Sequence, residues 1–119
     1  MKYLCLVYSA EALLHSLPDS PKDPECHAYA QTIHDSGRML AAEALESVST
    51  ATTVRMRNGK VSITDGPFAE TKEQLAGFYL IEARDLNEAI QVAAGIPAAR
   101  VGSVEVRPVR VLGQEGRAD

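Results

Sequence analysis

The sequence predicts an α+β fold in which two helices cover one face of a ferredoxin-like antiparallel sheet. Three observations support this prediction. Strand-like and helix-like segments follow in the order β-α-β-β-β-β-α-β, two helices begin at recognisable capping residues, and Asn58-Gly59 marks a hairpin inserted into the plan. The 119 residues, 45% of them apolar, suit a single domain with its own core.

The first half of the chain predicts a strand, a proline-rich loop, a helix and a second strand. The apolar run over residues 3–8 is typical of a strand covered on both faces. Asp23 as N-cap and Pro24 at the first helical position predict a helix that ends at Gly37. Residues 39–48 predict the second strand.

The next segment predicts a β-hairpin, because Asn58-Gly59 favours a two-residue type I′ turn with positive φ at both positions. This turn fixes the register of both strands. Alternation then assigns an apolar face that ends in a carboxylate, comprising Thr52, Val54, Met56, Val61, Ile63 and Asp65. The opposite face is polar and basic, comprising Arg55, Arg57, Lys60, Ser62 and Thr64.

The second half predicts a strand, a capped helix and a last strand. Residues 78–83 have a strand pattern, and Asp85-x-x-Glu88 resembles a capping box. The expected inner face of the helix is Leu86, Ala89, Ile90, Ala93 and Ala94. Residues 101–109 predict the last strand, so the domain covers 1–111 and a polar tail covers 112–119.

The predicted sheet has more apolar surface than its two helices can cover. Alternation puts Phe78 and Leu80 on one side and Tyr79 and Ile81 on the other, so both faces are apolar. An uncovered apolar face needs a partner, and most soluble oligomers are symmetric. We therefore expect a homodimer whose open sheet faces pack against each other.

Composition and charge disfavour several classes of function. The formal net charge is −4 with no basic block, which disfavours nucleic acid as a partner. No apolar run approaches the ~20 residues of a membrane span, and the N-terminus lacks signal-peptide features, so we expect a cytoplasmic protein. Cys5 and Cys26 are too few and too widely spaced for a zinc motif, and we expect no metal and no cofactor.

The stretch Asp65-Gly66-Pro67-Phe68-Ala69-Glu70-Thr71-Lys72-Glu73 resembles the signature of the DGPF group of the YCII-related family. Supporting similarity lies in residues 77–82, 85–89, 96–100 and 102–108. The resemblance implies a dimeric α/β-barrel fold. Members of the family are mostly uncharacterised, some are encoded beside extracytoplasmic-function sigma factors, and relatives in the wider superfamily include a dehydrochlorinase-type enzyme.

Histidine chemistry is not supported by this resemblance. In the enzyme-like branch a histidine on the first helix pairs with an aspartate, but an ungapped alignment puts Cys26, not His27, near that position. His27 and His34 lie two helical turns apart, roughly 10 Å, which is too far to chelate one metal. We expect both to be solvated, with His15 isolated in a loop.

Asp65 is the strongest candidate for a functional side chain. A carboxylate on an apolar face is desolvated, which raises its pKa unless a cation or backbone N–H groups hold it ionised, and either state suits general acid–base catalysis. The alternative is that Asp65 caps the turn by accepting hydrogen bonds from backbone N–H groups near Phe68, because Asp-Gly-Pro favours such turns.

Four further residues are candidates for contact with a small organic ligand. Thr71, Lys72 and Glu73 follow Asp65 closely enough to line a cleft beside it, with Lys72 binding an anion or pairing with a carboxylate. The alternative is a solvated loop in which Thr71 and Gln74 form a capping pair. Tyr79 offers a hydroxyl group to a pocket, or packs as a core tyrosine.

Two hypotheses for function remain open at this point. The protein is a cofactor-free enzyme or enzyme-like protein acting on a small organic molecule, with Asp65 as the acid–base group and a pocket between the sheet and residues 65–73. Alternatively, it is a non-catalytic ligand-binding or regulatory dimer linked to an extracytoplasmic-function sigma-factor pathway.

Overall fold

The computed structural model describes residues 1–14 and 17–113, and its main elements follow the predicted order. The strands are β1 (Lys2–Ser9), β2 (Met39–Ala44), β3 (Thr52–Arg57), β4 (Lys60–Asp65), β5 (Gln74–Glu82) and β6 (Ser103–Pro108). The helices are α1 (Glu11–Leu14), α2 (Asp23–Asp35) and α3 (Leu86–Ala94), with 3₁₀ turns at Val48–Thr50 and Pro97–Arg100. Over these ranges, no helix combines the length and the apolar character that crossing a bilayer requires.

Four strands form an antiparallel sheet in the order β2-β5-β1-β6, and β3 and β4 form a separate two-stranded sheet. The first and third strands of the split β-α-β plan, β1 and β5, therefore lie at the centre of the sheet. The fold class is α+β, as the sequence predicts.

The two faces of the sheet differ in what covers them. On β1, Tyr3, Cys5 and Val7 are buried and contribute to the main core together with residues of α2 and α3. The register pairs Cys5 with Tyr79, so Tyr79 lies on the helix-covered face. The half-buried side chains of the opposite face, called here the open face, are Leu4, Leu6, Tyr8, Phe78 and Leu80.

The β3–β4 hairpin has the register that the sequence predicts. Thr52 pairs with Asp65 at its base and Arg57 pairs with Lys60 next to the turn. Asn58 and Gly59 have φ values of 53° and 74°, as a type I′ turn requires. Turn chemistry alone therefore determines which side chains share each face.

The predicted inner face of α3 is wrong in part. Asp85 caps the helix as expected, because its carboxylate accepts a hydrogen bond from the Glu88 N–H at 2.9 Å. However, Leu86 and Ile90 are 50% and 48% exposed. The exposed positions also include Ala94, whereas the buried residues of the helix are Glu88, Ala89, Val92 and Ala93.

Glu88 is the charged residue on the buried side of α3. Its carboxylate accepts from the Arg84 N–H at 3.1 Å and contacts the guanidinium groups of Arg84 and Arg38 at 2.9 Å and 3.3 Å. Three partners satisfy a carboxylate whose residue is only 8% exposed. The backbone N–H of Arg84, followed by the charges of Arg38 and Arg84, lowers the pKa of Glu88.

Several predicted boundaries also need correction, and among them β5 is Gln74–Glu82 rather than 78–83 and β6 is Ser103–Pro108 rather than 101–109. The N-cap of α2 is Lys22 rather than Asp23, because Lys22 is extended and its carbonyl accepts from the Cys26 N–H at 3.1 Å. Strand β2 ends at Ala44 rather than at residue 48, because the chain leaves the sheet after Leu45, whose N–H bonds to the Ala76 carbonyl.

Candidate functional site

The segment 65–73, called here the DGPF loop, connects the hairpin to the central strand β5. Its first turn is held by two hydrogen bonds: the Gly66 N–H donates to the Ala51 carbonyl at 2.7 Å, and the Thr53 hydroxyl donates to the Gly66 carbonyl at 2.8 Å. Gly66 has a φ of 104°, a backbone conformation that residues other than glycine rarely adopt. The glycine of the signature is therefore explained by backbone conformation.

Asp65 is the last residue of β4 and lies opposite Thr52, on the same face as Ile63. Its side chain is exposed, and within the described part of the chain it forms no hydrogen bond or ion pair. The interpretation as a turn cap bonded to the backbone near Phe68 is therefore wrong. Among the residues that the structure describes, none covers the apolar face on which the carboxylate lies, since its aliphatic side chains are 59–67% exposed.

Phe68 is an exposed residue that sequence reasoning did not single out as functional. Its side chain is 79% exposed, although its carbonyl accepts a hydrogen bond from Arg55 at 3.4 Å. An exposed phenylalanine adds apolar surface beside the hairpin. The position of Phe68 in the D-G-P-F signature is the feature of the sequence that could have indicated a functional role.

The second half of the DGPF loop bonds mainly to itself and to β6. The Thr71 hydroxyl donates to the Glu73 carbonyl at 2.5 Å, and the Gln74 amide donates to the Thr71 carbonyl at 2.7 Å. The Glu73 carboxylate accepts from the Ser103 hydroxyl at 2.7 Å. Lys72 is exposed and, among the described residues, pairs with no carboxylate.

Glu11 anchors this region, and sequence reasoning missed it. Its carboxylate accepts from the Ser47 hydroxyl and the Val48 N–H, both at 2.9 Å. Its own N–H donates to the side-chain carbonyl of Gln74 at 3.0 Å. Glu11 therefore ties α1 to the segment before β3 and to the start of β5, and nothing local in the sequence indicates contacts at these separations.

Tyr79 packs against the core on the helix-covered face, so its environment differs from that of the exposed Asp65. No hydrogen bond joins Asp65 to Tyr79, Lys72 or Glu73 over the described ranges. The structure therefore places the predicted ligand-binding residues in two environments, an exposed loop and a half-buried core strand.

Two thiols and two phenols gather between α2 and the sheet. Burial raises the pKa of Cys5 to about 11, and it also raises the pKa values of Cys26, Tyr29 and Tyr79. The Tyr29 hydroxyl donates to the Val92 carbonyl at 2.6 Å. All four groups are therefore neutral at pH 7, and a neutral thiol is a poor nucleophile.

His27 and His34 are exposed on α2, and His34 lies 3.6 Å from the Asp35 carboxylate. His15 lies outside the described residues. Among those that the structure describes, no three His, Cys, Asp or Glu side chains are grouped so that they could hold a metal ion.

A cavity of about 740 Å³ lies at a distance from the predicted site, between the N-terminus and the segment after β6. Met1, Glu82 and residues 108–112 contribute to its wall, and no residue of the DGPF loop does.

Comparison with known proteins places this architecture in a family. The model of the YCII-related domain matches residues 1–112. An uncharacterised protein of Rhizobium meliloti is 34% identical over 114 residues, which cover 92% of each chain. Both matches extend over the sheet, the helices and the hairpin.

A solved structure shows the same fold at much lower sequence identity. It is 5-chloro-2-hydroxyhydroquinone dehydrochlorinase from Burkholderia phenoliruptrix in complex with 2,5-dihydroxybenzoquinone, with 13% identity and a TM-score of 0.54. The alignment covers 92% of this chain and 94% of that one. From the domain match and the bacterial relative, this chain belongs to the YCII-related family.

Proposed function

We propose that this protein is a cofactor-free, enzyme-like homodimer of the cytoplasm that acts on a small organic molecule, with Asp65 as its acid–base group. The observation that carries the proposal is the position of Asp65, the one ionisable side chain on the apolar face of the hairpin. Covering that face desolvates the carboxylate and strengthens its interaction with a bound ligand.

The open face supports the homodimer. Leu4, Leu6, Phe78 and Leu80 occupy adjacent positions on the two central strands, and among the described elements no helix covers them. A contiguous apolar surface of this kind marks an interaction site. A two-fold pairing of open faces gives each copy the layer that its own helices do not supply.

The class of ligand is argued from the structural relative. That protein was solved with a dihydroxybenzoquinone, so a hydroxylated aromatic ring or quinone is the first ligand to test. Thr71, Lys72 and Glu73 belong to the same loop as Asp65, and Tyr79 belongs to the strand that follows. We assign these four residues to ligand contact rather than to proton transfer.

The test compares Asp65→Asn with Glu70→Gln, which removes a second exposed carboxylate of the same loop. Turnover of 5-chloro-2-hydroxyhydroquinone and binding of 2,5-dihydroxybenzoquinone are measured by absorbance and calorimetry. Removing an acid–base group should lower kcat by about 100-fold or more, while Glu70→Gln retains it. Equal rates for the two variants would contradict the role of Asp65.

A second candidate function is a non-catalytic, ligand-binding regulatory dimer linked to an extracytoplasmic-function sigma-factor pathway. The observation that favours it is the lack of a second polar group bonded to Asp65 over the described residues. Under this function the unaltered protein binds the quinone without turning over the chlorinated compound. Asp65→Asn then changes the free energy of unfolding by no more than about 0.5 kcal/mol, because the side chain is exposed and forms no hydrogen bond among the described residues.

A further inference from the structure

The β3–β4 hairpin, residues 52–65, is called here the hairpin arm. Four aliphatic side chains share one of its faces, and each is 59–67% exposed: Val54, Met56, Val61 and Ile63. Together they present on the order of 400 Å² of apolar surface. A patch of that size matches the largest apolar patch of a typical monomeric protein, and such patches are often functional.

The arm does not use its apolar face to complete the core of its own chain. Its polar face bonds to the DGPF loop that follows β4, through Thr53 to the Gly66 carbonyl and Arg55 to the Phe68 carbonyl. Its apolar face is exposed. An isolated two-stranded sheet is marginally stable in water, so the apolar face needs a layer from another source.

The charge of the arm is opposite in sign to that of the rest of the chain, which suits a second copy as the partner. The arm carries Arg55, Arg57 and Lys60 against the single carboxylate of Asp65, a formal charge of +2 within a chain of −4. The remainder of the chain therefore carries −6. A second copy offers acidic surface, including Glu43 and Glu46, which are exposed and have no ion pair among the described residues.

We propose that the apolar face of the hairpin arm packs against a second copy of this chain and extends the sheet-to-sheet dimer. The inference rests on the proposed homodimer and deepens it, because the covering surface also completes the environment of Asp65 at the base of the arm. The acid–base site is then built from two chains.

The first test exploits the lack of tryptophan in the chain. Met56→Trp puts a single fluorophore on the apolar face of the arm, and Ser62→Trp puts one on the polar face as a matched control. We expect Met56→Trp emission to lie at shorter wavelength in the dimer and to shift to longer wavelength on dilution. The control emission should change less over the same dilution.

Unshifted Met56→Trp emission in a sample that sediments as a dimer would overturn the inference and leave the dimer intact. Short-wavelength emission that persists in a fully dissociated sample would mean that the arm folds onto its own chain, and would overturn it too. If the protein sediments as a monomer at every concentration, the result would contradict both the arm contact and the proposed dimer.

The second test introduces charge on each surface. Val61→Glu combined with Ile63→Glu should raise the dimer Kd by at least about 100-fold, because two aliphatic side chains lose their burial. Ser62→Glu, on the polar face of the same strand, should leave Kd within a few-fold. If Leu6→Glu dissociates the dimer and the double arm variant stays dimeric, the result would support the sheet-to-sheet contact and overturn the arm contact. Far-UV circular dichroism establishes that each variant is folded.

Discussion

The four-stranded sheet with its helices, called here the body, and the hairpin arm follow the same rule of alternation with opposite results. On β1 of the body, every second residue is buried, and Tyr3, Cys5 and Val7 are at most 6% exposed. In the arm the corresponding apolar residues are at least 59% exposed. The comparison shows that alternation determines which side chains share a face, whereas the layer that covers the face must come from elsewhere.

The same residue type in both regions gives the sharpest contrast. Ile81 is fully buried in β5 and Ile63 is 67% exposed in β4. Ile81→Ala should lower the free energy of unfolding by about 2–5 kcal/mol, because it leaves a cavity in the core. Ile63→Ala should cost less than about 0.5 kcal/mol at protein concentrations where single chains prevail.

Urea unfolding at low and high protein concentration measures both values. The cost of Ile63→Ala should rise with concentration, because the second copy then covers the side chain, while the cost of Ile81→Ala persists at both concentrations. Equal costs for the two variants in dissociated protein would contradict the difference between body and arm.

Glycines distinguish the two regions in a second way. A Cβ at Gly77 would lie 2.6 Å from the Glu43 carbonyl oxygen, so Gly77→Ala should separate β5 from β2 and cost about 1–3 kcal/mol. Gly59 in the arm has open space around it but a φ of 74°, so Gly59→Ala should cost about 1 kcal/mol from backbone strain.

Thermal unfolding of the two alanine variants tests this difference. Gly59→Asn serves as the control, since asparagine tolerates positive φ better than alanine does, and it should recover part of the loss. A Gly77→Ala variant as stable as the unaltered protein would show that the β2–β5 contact is looser than described.

The body also contains an ionic network that predicts pH dependence. The lowered pKa of Glu88 means that its folded form holds the proton less tightly than its unfolded form. This stabilisation is fully present above the ordinary carboxyl pKa and is lost as the pH falls through the lowered folded-state value. Glu88→Gln should therefore be less stable at neutral pH and should lose less stability on acidification. Parallel stability curves for the two proteins between pH 7 and pH 3 would contradict this.

The smallest expected effect concerns the cations of the arm. Arg57→Glu combined with Lys60→Glu should weaken the dimer by about 3- to 30-fold, because each exposed ion pair contributes roughly 0.2–1 kcal/mol. The difference should shrink in 1 M NaCl, where charges are screened beyond about 3 Å. Lys22→Glu is the matched control on the body, and an equal loss of affinity there would indicate a general effect of net charge.

Local chemistry made much of the fold predictable from the sequence. Asn58-Gly59 requires positive φ at both positions, so the register of the arm followed from two residues. Asp85 likewise indicated the start of α3 because a cap acts over only three residues. The inner face of α3 was not predictable in the same way, since it includes Glu88, which pairs with Arg38, fifty residues away.

The candidate site was less predictable because its environment is not local. The register of the hairpin assigned Asp65 to the apolar face, but whether water or protein covers that face depends on a second surface. Glu11 contacts Ser47, Val48 and Gln74, which flank the hairpin and the DGPF loop, and no spacing along the chain indicates these contacts.

Equilibrium sedimentation of the unaltered protein tests the central claim, which is that a second copy covers the surfaces that one chain leaves exposed. The open face and the hairpin arm together predict the mass of two chains at micromolar concentration, with dissociation only on further dilution. The mass of one chain at those concentrations would contradict the account.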